Sequence, residues 1–421
     1  MVENAPTVPA KAVSGKPLNT GKAWPVLFAV WFAGFCAPAN MAKVTTLAPL
    51  LMEVFGITES GVGWVIAVFY ILGVIIAFPA AAIVKKLGLR NVIILALACG
   101  IAGGLVGVLS TNLIIFMVSR VIEGAGMGLM AVCGAAAIGP WFPDSKKGLP
   151  LSIWALWVSV PTIILPPVYS ALSEMTGTWT ASWWFMLALC VVALVLFLVL
   201  YTEPNFTWGE DEQPVLRTDD VPLEEETTGA VRLAFKTPAF WALMVIILID
   251  GIGFMAVNGF LTTYIVAEVG ASLGEAALIV SAGAIIGALA GPISGAISDK
   301  IHSRKILLLI ALICAVVFMW FVFSVDTVEA YYPLVFIQGI YCGVVGAMTW
   351  TIASEILPDD AIAGSTAGMS FFQNGGFFIG AMSFGMLLEA MGGWGSAMHM
   401  VIVPGYILAI IVLLIFWKKM P

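Results

Sequence analysis

The stretch Asn112–Phe142, NLIIFMVSRVIEGAGMGLMAVCGAAAIGPWF, places Arg120 and, one helical turn later, Glu123 inside a nearly unbroken apolar run. The run is longer than the ~20 residues a helix needs to cross a hydrocarbon core of about 30 Å. A charge at the centre of a membrane helix costs roughly 2.5–3.5 kcal/mol on insertion scales, so such residues face a protein interior or a wet cavity. The stretch therefore predicts a membrane-spanning helix surrounded by others that house this pair.

The rest of the chain has the composition this requires. Of its 421 residues, 61% are hydrophobic and only 10% charged, with a mean hydropathy of +1.06, which excludes an ordinary soluble globular protein. Apolar runs recur near 24–51, 61–84, 91–110, 113–139, 149–173, 181–201, 239–267, 273–298, 304–325, 331–356, 362–390 and 395–417. They predict twelve transmembrane helices, with both termini on one side. The first 23 residues lack the apolar core and cleavage site of a signal peptide, so no cleaved signal is expected.

Charge distribution assigns the sides. With the N-terminus inside, Lys11, Lys16, Lys22, Lys85, Lys86, Arg90, Lys146, Lys147, Arg217, Arg232, Lys236, Lys300, Arg304, Lys305, Lys418 and Lys419 are all cytoplasmic. The remaining basic residues, Lys43 and Arg120, fall inside helices, while Glu53, Glu59, Glu174, Glu268, Glu275, Asp326, Glu329 and Glu389 lie outside. The expected location is the bacterial inner membrane.

One long connection divides the chain. The reading is a cytoplasmic tail (1–23), an N-terminal six-helix bundle (24–201), a cytoplasmic acidic linker (202–238), a C-terminal six-helix bundle (239–417) and a cytoplasmic C-terminus (418–421). The net charge of −7 owes much to Glu210, Asp211, Glu212, Asp219, Asp220, Glu224, Glu225 and Glu226, read as a solvated linker rather than a dock for a basic partner. Cys36, Cys99, Cys133, Cys190, Cys314 and Cys342 all sit in apolar runs at spacings that fit neither a metal site nor a disulfide framework, and are read as packing residues. The halves repeat weakly. Phe55-Gly56-Ile57-Thr58 and Val269-Gly270-Ala271-Ser272 both close a first helix and precede a Glu and a Gly/Ala-rich second helix. Parallel repeats with substrate bound between them near mid-membrane are a known transporter plan.

Two motifs name a family. Gly295-Ala-Ile-Ser-Asp299-Lys300-Ile-His302-Ser-Arg304-Lys305 resembles the G-x-x-x-D-[RK]-x-G-[RK]-[RK] loop of the major facilitator superfamily, with His302 in place of the inner Gly. The matching loop in the first half keeps Gly88 and Arg90 but has Lys85 where the family has Asp. Arg120-Val-Ile-Glu123-Gly124-Ala-Gly126-Met-Gly128 is similar to the fourth-helix R-x-x-x-G-x-G pattern, and Trp141-Phe142-Pro143 with Lys146-Lys147-Gly148 to the W-F-P loop of bacterial members. Asn374-Gly375-Gly376 with Gly380 is similar to the Asn/Gly-rich stretch of nitrate- and cyanate-type porters, though the spacing differs and helix five has no second copy. Helix five reads Trp154, Trp157, Pro161, Pro166 and Pro167, without the Gly-Pro pattern of drug antiporters.

The resemblance implies an all-α membrane protein of twelve transmembrane helices in two pseudo-symmetric six-helix bundles, working by alternating access. It implies that helices one, four, seven and ten line the cavity and that the loop residues Gly88, Arg90, Gly295, Asp299, Arg304 and Lys305 take part in gating. The intramembrane charges obey that partition: Lys43 is on helix one, Arg120 and Glu123 on four, Asp250 on seven.

Two cations and two carboxylates at similar depth suggest a site for an anion beside groups that take up protons. Arg120 offers a planar fork for an oxyanion and Lys43 a point charge. Burial raises a carboxylate's proton affinity and nearby cations lower it, so Glu123 and Asp250 are the expected proton-coupling residues. Asn40, Asn258, Tyr264, Trp350, Gln373 and Asn374 complete the expected substrate site, with Tyr70 and Gln338 also on presumed cavity helices. Other readings stay open: an i,i+3 ion pair between Arg120 and Glu123 that only fixes helix four, and a Lys43–Asp250 salt bridge between the halves. Trp183 and Trp184 are read as anchors at the outer boundary. Gly124, Gly126, Gly128 and Gly283, Gly287, Gly291, Gly295 are read as close helix contacts.

The function expected is secondary transport of a small anion, an organic carboxylate in the leading reading, by proton-coupled symport or anion exchange. An exporter of amphipathic compounds is the alternative, and a non-transporting sensor or membrane enzyme a remote one. No H-E-x-x-H, P-loop or Rossmann pattern appears, so no enzyme activity, metal, cofactor or nucleic-acid partner is expected. Protons and the lipid bilayer are the other expected partners, and a monomer suffices for the fold.

Overall fold

The computed structural model describes residues 18–209, 211–216, 232–358 and 361–420. Among them, twelve helices are long and apolar enough to cross a membrane. They are α1 (Ala23–Phe55), α2 (Glu59–Ile76), α3 (Leu89–Val108), α4 (Leu113–Ile138), α5 (Gly148–Thr176), α6 (Thr180–Leu200), α7 (Pro238–Ala267), α8 (Leu273–Ile301), α9 (Arg304–Phe321), α10 (Tyr331–Ile356), α11 (Ile362–Met391) and α12 (Trp394–Ile415). A short helix, Ala80–Leu87, follows α2 after Pro79. Lys11, Lys16, Arg217 and the linker acids Glu210, Asp219, Asp220, Glu224, Glu225 and Glu226 lie outside the described residues.

Local chemistry sets the helix ends. Gly56 closes α1 at φ 60° and Gly270 follows α7 at φ 75°, so the paired turns share a left-handed backbone that glycine adopts without a Cβ clash. The Asn112 side chain caps α4 by accepting from Ile115 N at 3.0 Å. Ser272 and Glu275 form a capping box at the start of α8. At 33 residues α1 is about 50 Å long, well beyond the hydrocarbon thickness, so it must tilt or protrude.

Helices α1–α6 pack into one bundle and α7–α12 into the other. The contacts between bundles run through α2 with α11, α5 with α8, and α1 with α7. Under the six-helix repeat the first two pairs exchange and the third maps onto itself, as a two-fold axis along the membrane normal requires. Alternate helix ends gather Lys85, Lys86, Lys146, Lys147, Lys300, Lys305, Lys418 and Lys419 on one face, the basic face below, and Glu53, Glu59, Glu174, Glu268 and Glu389 on the opposite, acidic face.

Small residues account for the close packing, with one exception. A Cβ on Gly291 would lie 3.4 Å from the Gly343 carbonyl oxygen, and one on Gly287 would lie 3.5 Å from that of Gly339, so α8 and α10 touch backbone to backbone. Gly295, expected in the same stripe, faces open space. All six cysteines are free.

The described start of the linker, residues 202–209 and 211–216, is folded against the bundle rather than free in solvent. Residues Phe206–Trp208 and Pro214–Leu216 form an antiparallel hairpin in register Phe206↔Leu216. It docks on the basic face of the N-terminal bundle. Asn19 N donates to Asn205 Oδ1 at 3.1 Å and Asn205 N returns a bond to Asn19 Oδ1 at 3.2 Å. Trp208 Nε1 donates to the Pro140 carbonyl at 3.2 Å, and Ser145 N and Oγ donate to the Glu212 carboxylate at 3.0 and 2.5 Å. Charge count alone hid this, because the acidic run also carries the aromatic residues Phe206 and Trp208 that pack on Trp141 and on each other.

Candidate substrate site

Glu123 joins the two buried cations. Its Oε1 lies 2.5 Å from Lys43 Nζ, and its Oε2 accepts from Arg120 Nη1 one turn back on α4. All three side chains are almost wholly removed from solvent. Asn40, three residues before Lys43 on α1, accepts from the ammonium at 2.8 Å. Aromatic faces complete the surroundings: Lys43 Nζ is 4.4 Å from the Trp183 ring centroid and Arg120 Cζ 4.6 Å from that of Phe69. Arg120 Nε has no acceptor among the described residues.

The backbone was shaped for this cluster. A Cβ on Gly103 of α3 would sit 2.5 Å from Glu123 Cγ and 2.8 Å from the Ser119 carbonyl oxygen, so only glycine leaves room for the carboxylate side chain. Beside Glu123 is a void of about 10 Å³, enough for roughly one water, lined by Cys36, Asn40, Gly100, Gly126 and Cys190 among others. Its walls come from α1, α3, α4 and α6.

This geometry corrects several expectations. Lys43 and Arg120 both belong to the N-terminal bundle, and the void beside them lies within it rather than between the halves. Lys43 pairs with Glu123, not with Asp250. Asp250 accepts instead from Tyr406 of α12 at 3.2 Å, inside the C-terminal bundle. Trp183 is fully buried against Phe116 and Trp179 and covers Lys43, whereas Trp184 is half exposed as a boundary residue would be. A Trp-Trp pair at a helix end reads as a belt, but only one of two adjacent helix residues can face lipid.

The remaining candidates lie apart from the triad. Asn258 Nδ2 bonds its own helix at the Phe254 carbonyl, 2.9 Å away, and Asn374 Nδ2 does the same to Ser370 at 2.8 Å. Asn374 Oδ1 rests against Gly73 of α2, so it sits at the contact between bundles. Tyr264 is turned toward the acidic face, donating to the Val325 carbonyl at 3.2 Å and packing on Phe323 and Trp394. Trp350 and Gln373 are partly buried on α10 and α11. Between bundles, Tyr70 meets Phe377 with ring centroids 5.1 Å apart, and Phe377 meets Phe254 at 5.4 Å.

The loop after α8 is held by charge. Arg304 bonds Asp299 at 2.5 Å, Glu355 of α10 at 3.0 Å, and the Ser298 hydroxyl. Lys305 Nζ donates to the carbonyls of Trp417 and Met420. His302, standing where the motif has glycine, adopts φ 53° as the C-cap of α8; Gly88 holds φ 78° in the first-half loop. Arg90 forms no ion pair among the described residues. Gly295 leaves open space on the last turns of α8.

Sequence reading missed Glu355 and Tyr406. Glu355 is preceded by no motif residue, but Pro358 three positions on matches Pro143 of the first half. Superposing the two glycine turns places Asp250 on Cys36, and both pair with the last helix of their bundle, Asp250 with Tyr406 and Cys36 beside Cys190. That equivalence was open to inspection in the repeat.

A family model for the Major Facilitator Superfamily matches residues 30–381 and 243–421. The chain belongs to the major facilitator superfamily. Its twelve long apolar helices make it a multi-pass membrane protein of a family of transporters. The probable sulfoacetate transporter SauU of Cupriavidus necator is 23% identical over 86% of each chain. The MFS-type transporter YcnB of Bacillus subtilis is 25% identical over 45% of this chain and 39% of its own, so the chain spans less than half of that relative. A crystal structure of a bacterial homologue of the human lysosomal transporter Spinster, inward-facing and unoccupied, superposes with a TM-score of 0.70, covering 96% of this chain and 97% of that one at 16% identity. At that identity the likeness concerns the fold.

Proposed function

We propose that this superfamily member carries a small organic anion, a carboxylate or sulfonate, across the bacterial cytoplasmic membrane with a proton as coupling ion. The basic face is cytoplasmic in this reading, as the positive-inside bias requires. The observation that carries it is the composition of the triad: two basic side chains share one carboxylate, and Arg120 Nε lacks an acceptor among the described residues. An oxyanion on the guanidinium fork supplies both the missing acceptor and the missing negative charge. The similarity to SauU over most of both chains supports an oxyanion substrate. A monoanion balances the triad as it stands. A dianion requires one more proton, which Glu123 or Asp250 would hold. In this reading, rocking of the bundles separates Tyr70 of α2 from Phe377 of α11, which now meet across the contact between bundles.

A second reading has the triad as an internal staple of the N-terminal bundle, with substrate held at Asn374, Asn258 and Gln373 between bundles. Burial of all three charges beside a void for a single water favours it. Uptake of labelled carboxylates and sulfonates into proteoliposomes, with and without an inward proton gradient, separates the two. Arg120→Lys keeps the charge but not the fork: lost uptake at unchanged Tm supports anion binding at Arg120. Intact uptake in Arg120→Ala overturns it.

A further inference from the structure

Two of the contacts between bundles reach the acidic face in the same way. In one, the end of α11 meets the start of α2: Ser60 N donates to Glu389 Oε1 at 3.3 Å, and a Cβ on Gly385 would lie 2.5 Å from the Glu59 carbonyl oxygen and 2.9 Å from Ser60 Cα. In the other, the end of α5 meets the start of α8: a Cβ on Gly274 would lie 3.5 Å from Glu174 Oε1 and 3.7 Å from Ser170 Oγ. Aligning Gly177 and Gly392, the left-handed caps of α5 and α11, puts Glu174 on Glu389 and Ser170 on Gly385. Aligning the turn glycines Gly56 and Gly270 puts Ser60 on Gly274. Each crossing therefore joins one serine to one glycine, on exchanged sides, beside one carboxylate, and the backbones approach too closely for anything larger.

The two crossings differ in how the helix start is capped. The first amides of a helix have no acceptor within it and form the positive end of its dipole. Helix α8 caps itself, with Ser272 Oγ accepting from Glu275 N at 3.2 Å and Glu275 reaching back to Ser272. Thr58, the corresponding residue of α2, makes no side-chain cap, and the acceptor for Ser60 N comes from the opposite bundle. Glu174 is held on its own helix instead, accepting from Ser170 Oγ at 3.0 Å.

We propose that Glu389 and Glu174 form a two-fold-related latch on the acidic face, in which Glu389 is the bonded half and holds α11 to α2 by capping α2 across the boundary between bundles. Opening of this face exchanges the carboxylate for water at the first turn of α2, and closing restores it. Both carboxylates act on helix ends and not on the transported molecule, so the assignment is independent of a substrate site at Arg120.

The test measures how often the acidic face opens. Ile66 of α2 is 2% exposed and lies about 9 Å along the helix from Ser60, with its Cδ1 3.3 Å from where a Cβ on Gly259 of α7 would stand. A chain carrying Ile66→Cys is treated in intact bacterial cells with a charged, membrane-impermeant maleimide. The reagent reaches the thiol while the bundles are apart on that face, so the labelling rate scales with the open fraction. The chain without Ile66→Cys gives the background of the native thiols, and Thr327→Cys, exposed in the α9–α10 loop, reports which face is outside. Glu389→Ala is expected to raise the rate about 2- to 5-fold at unchanged Tm, the size of one charge contact at a helix end. Glu389→Gln, which keeps an acceptor, should fall between, and Glu174→Ala, opposite a self-capped helix, should do less than Glu389→Ala. Gly385→Val drives a side chain into the α2 backbone and sets the upper value. An unaltered rate in Glu389→Ala, with or without a fall in Tm, overturns the proposal, as does a larger effect of Glu174→Ala. Failure of Thr327→Cys to react in cells reverses the sidedness alone, and inverted vesicles then give the same comparison.

Discussion

Lys43 on α1 and Glu123 on α4 are held 2.5 Å apart in the interior of one bundle, with Arg120 on the second carboxylate oxygen. Removing one member of a buried pair leaves an uncompensated charge and typically costs about 3–5 kcal/mol. Glu123→Gln strands two cations at once and is expected to lower Tm more than either Lys43→Met or Arg120→Met. A double change, Lys43→Met with Glu123→Gln, should recover part of that loss. Additive losses in this double-mutant cycle would mean that the pair is not coupled.

Gly103 accommodates the Glu123 side chain. Gly103→Ala places a methyl carbon 2.5 Å from Glu123 Cγ, an overpacking change that costs roughly 1–3 kcal/mol. Gly295→Ala, which meets open space inside the helix α8, should not lower stability and is expected to raise it by about 0.5–1 kcal/mol. Thermal unfolding of the two variants in one detergent compares them directly.

His302 occupies a left-handed C-cap that glycine enters without steric cost. His302→Gly is expected to stabilise the chain by about 1 kcal/mol, seen as a raised Tm with transport retained. A fall in Tm would show that the imidazole contact to the Lys300 carbonyl, at 3.1 Å, outweighs the backbone strain.

Two hydrogen bonds from Ser145 hold the Glu212 carboxyl below its ordinary range. A group whose pKa is depressed on folding adds stability above its unfolded pKa, about 4.3 for Glu, and loses it as pH falls through the lower folded value. The Ser145–Glu212 contact therefore favours the docked hairpin at neutral pH, and that contribution is lost as pH falls below that range. Hydrogen exchange at the Ser145 amide, corrected for intrinsic rate, should lose protection over that interval. In Glu212→Gln the protection should no longer vary with pH.

Arg304 clamps the α8–α9 loop to α10 through Asp299 and Glu355. Because the carboxylates are partly exposed, Arg304→Lys should change global stability by less than about 1 kcal/mol. It should nonetheless lower the transport rate, since an ammonium cannot span both carboxylates as the guanidinium fork does. Turnover in proteoliposomes beside Tm gives the comparison.

Much of the architecture is legible in the chain alone, because hydrocarbon imposes its conditions residue by residue. A span must be long and apolar, its backbone bonds must close within the helix, and basic residues must stay on one side. Twelve runs, a central break, paired glycine turns and the loop around Asp299 follow from those local conditions. They identify Lys43, Arg120, Glu123 and Asp250 as the intramembrane charges that need partners.

Which partner each charge takes was decided only in three dimensions. Helical period says that Arg120 and Glu123 share a face; it does not say that α1 brings Lys43 to the same carboxylate, or that Asp250 turns away to Tyr406. Those choices depend on helix rotation and on contacts such as Gly103 against Glu123, made between residues distant in sequence. The hairpin escaped for a related reason: its acids dominate the linker's composition, whereas two aromatic side chains and a surface supplied by Trp141, Pro140 and Ser145 determine where it rests.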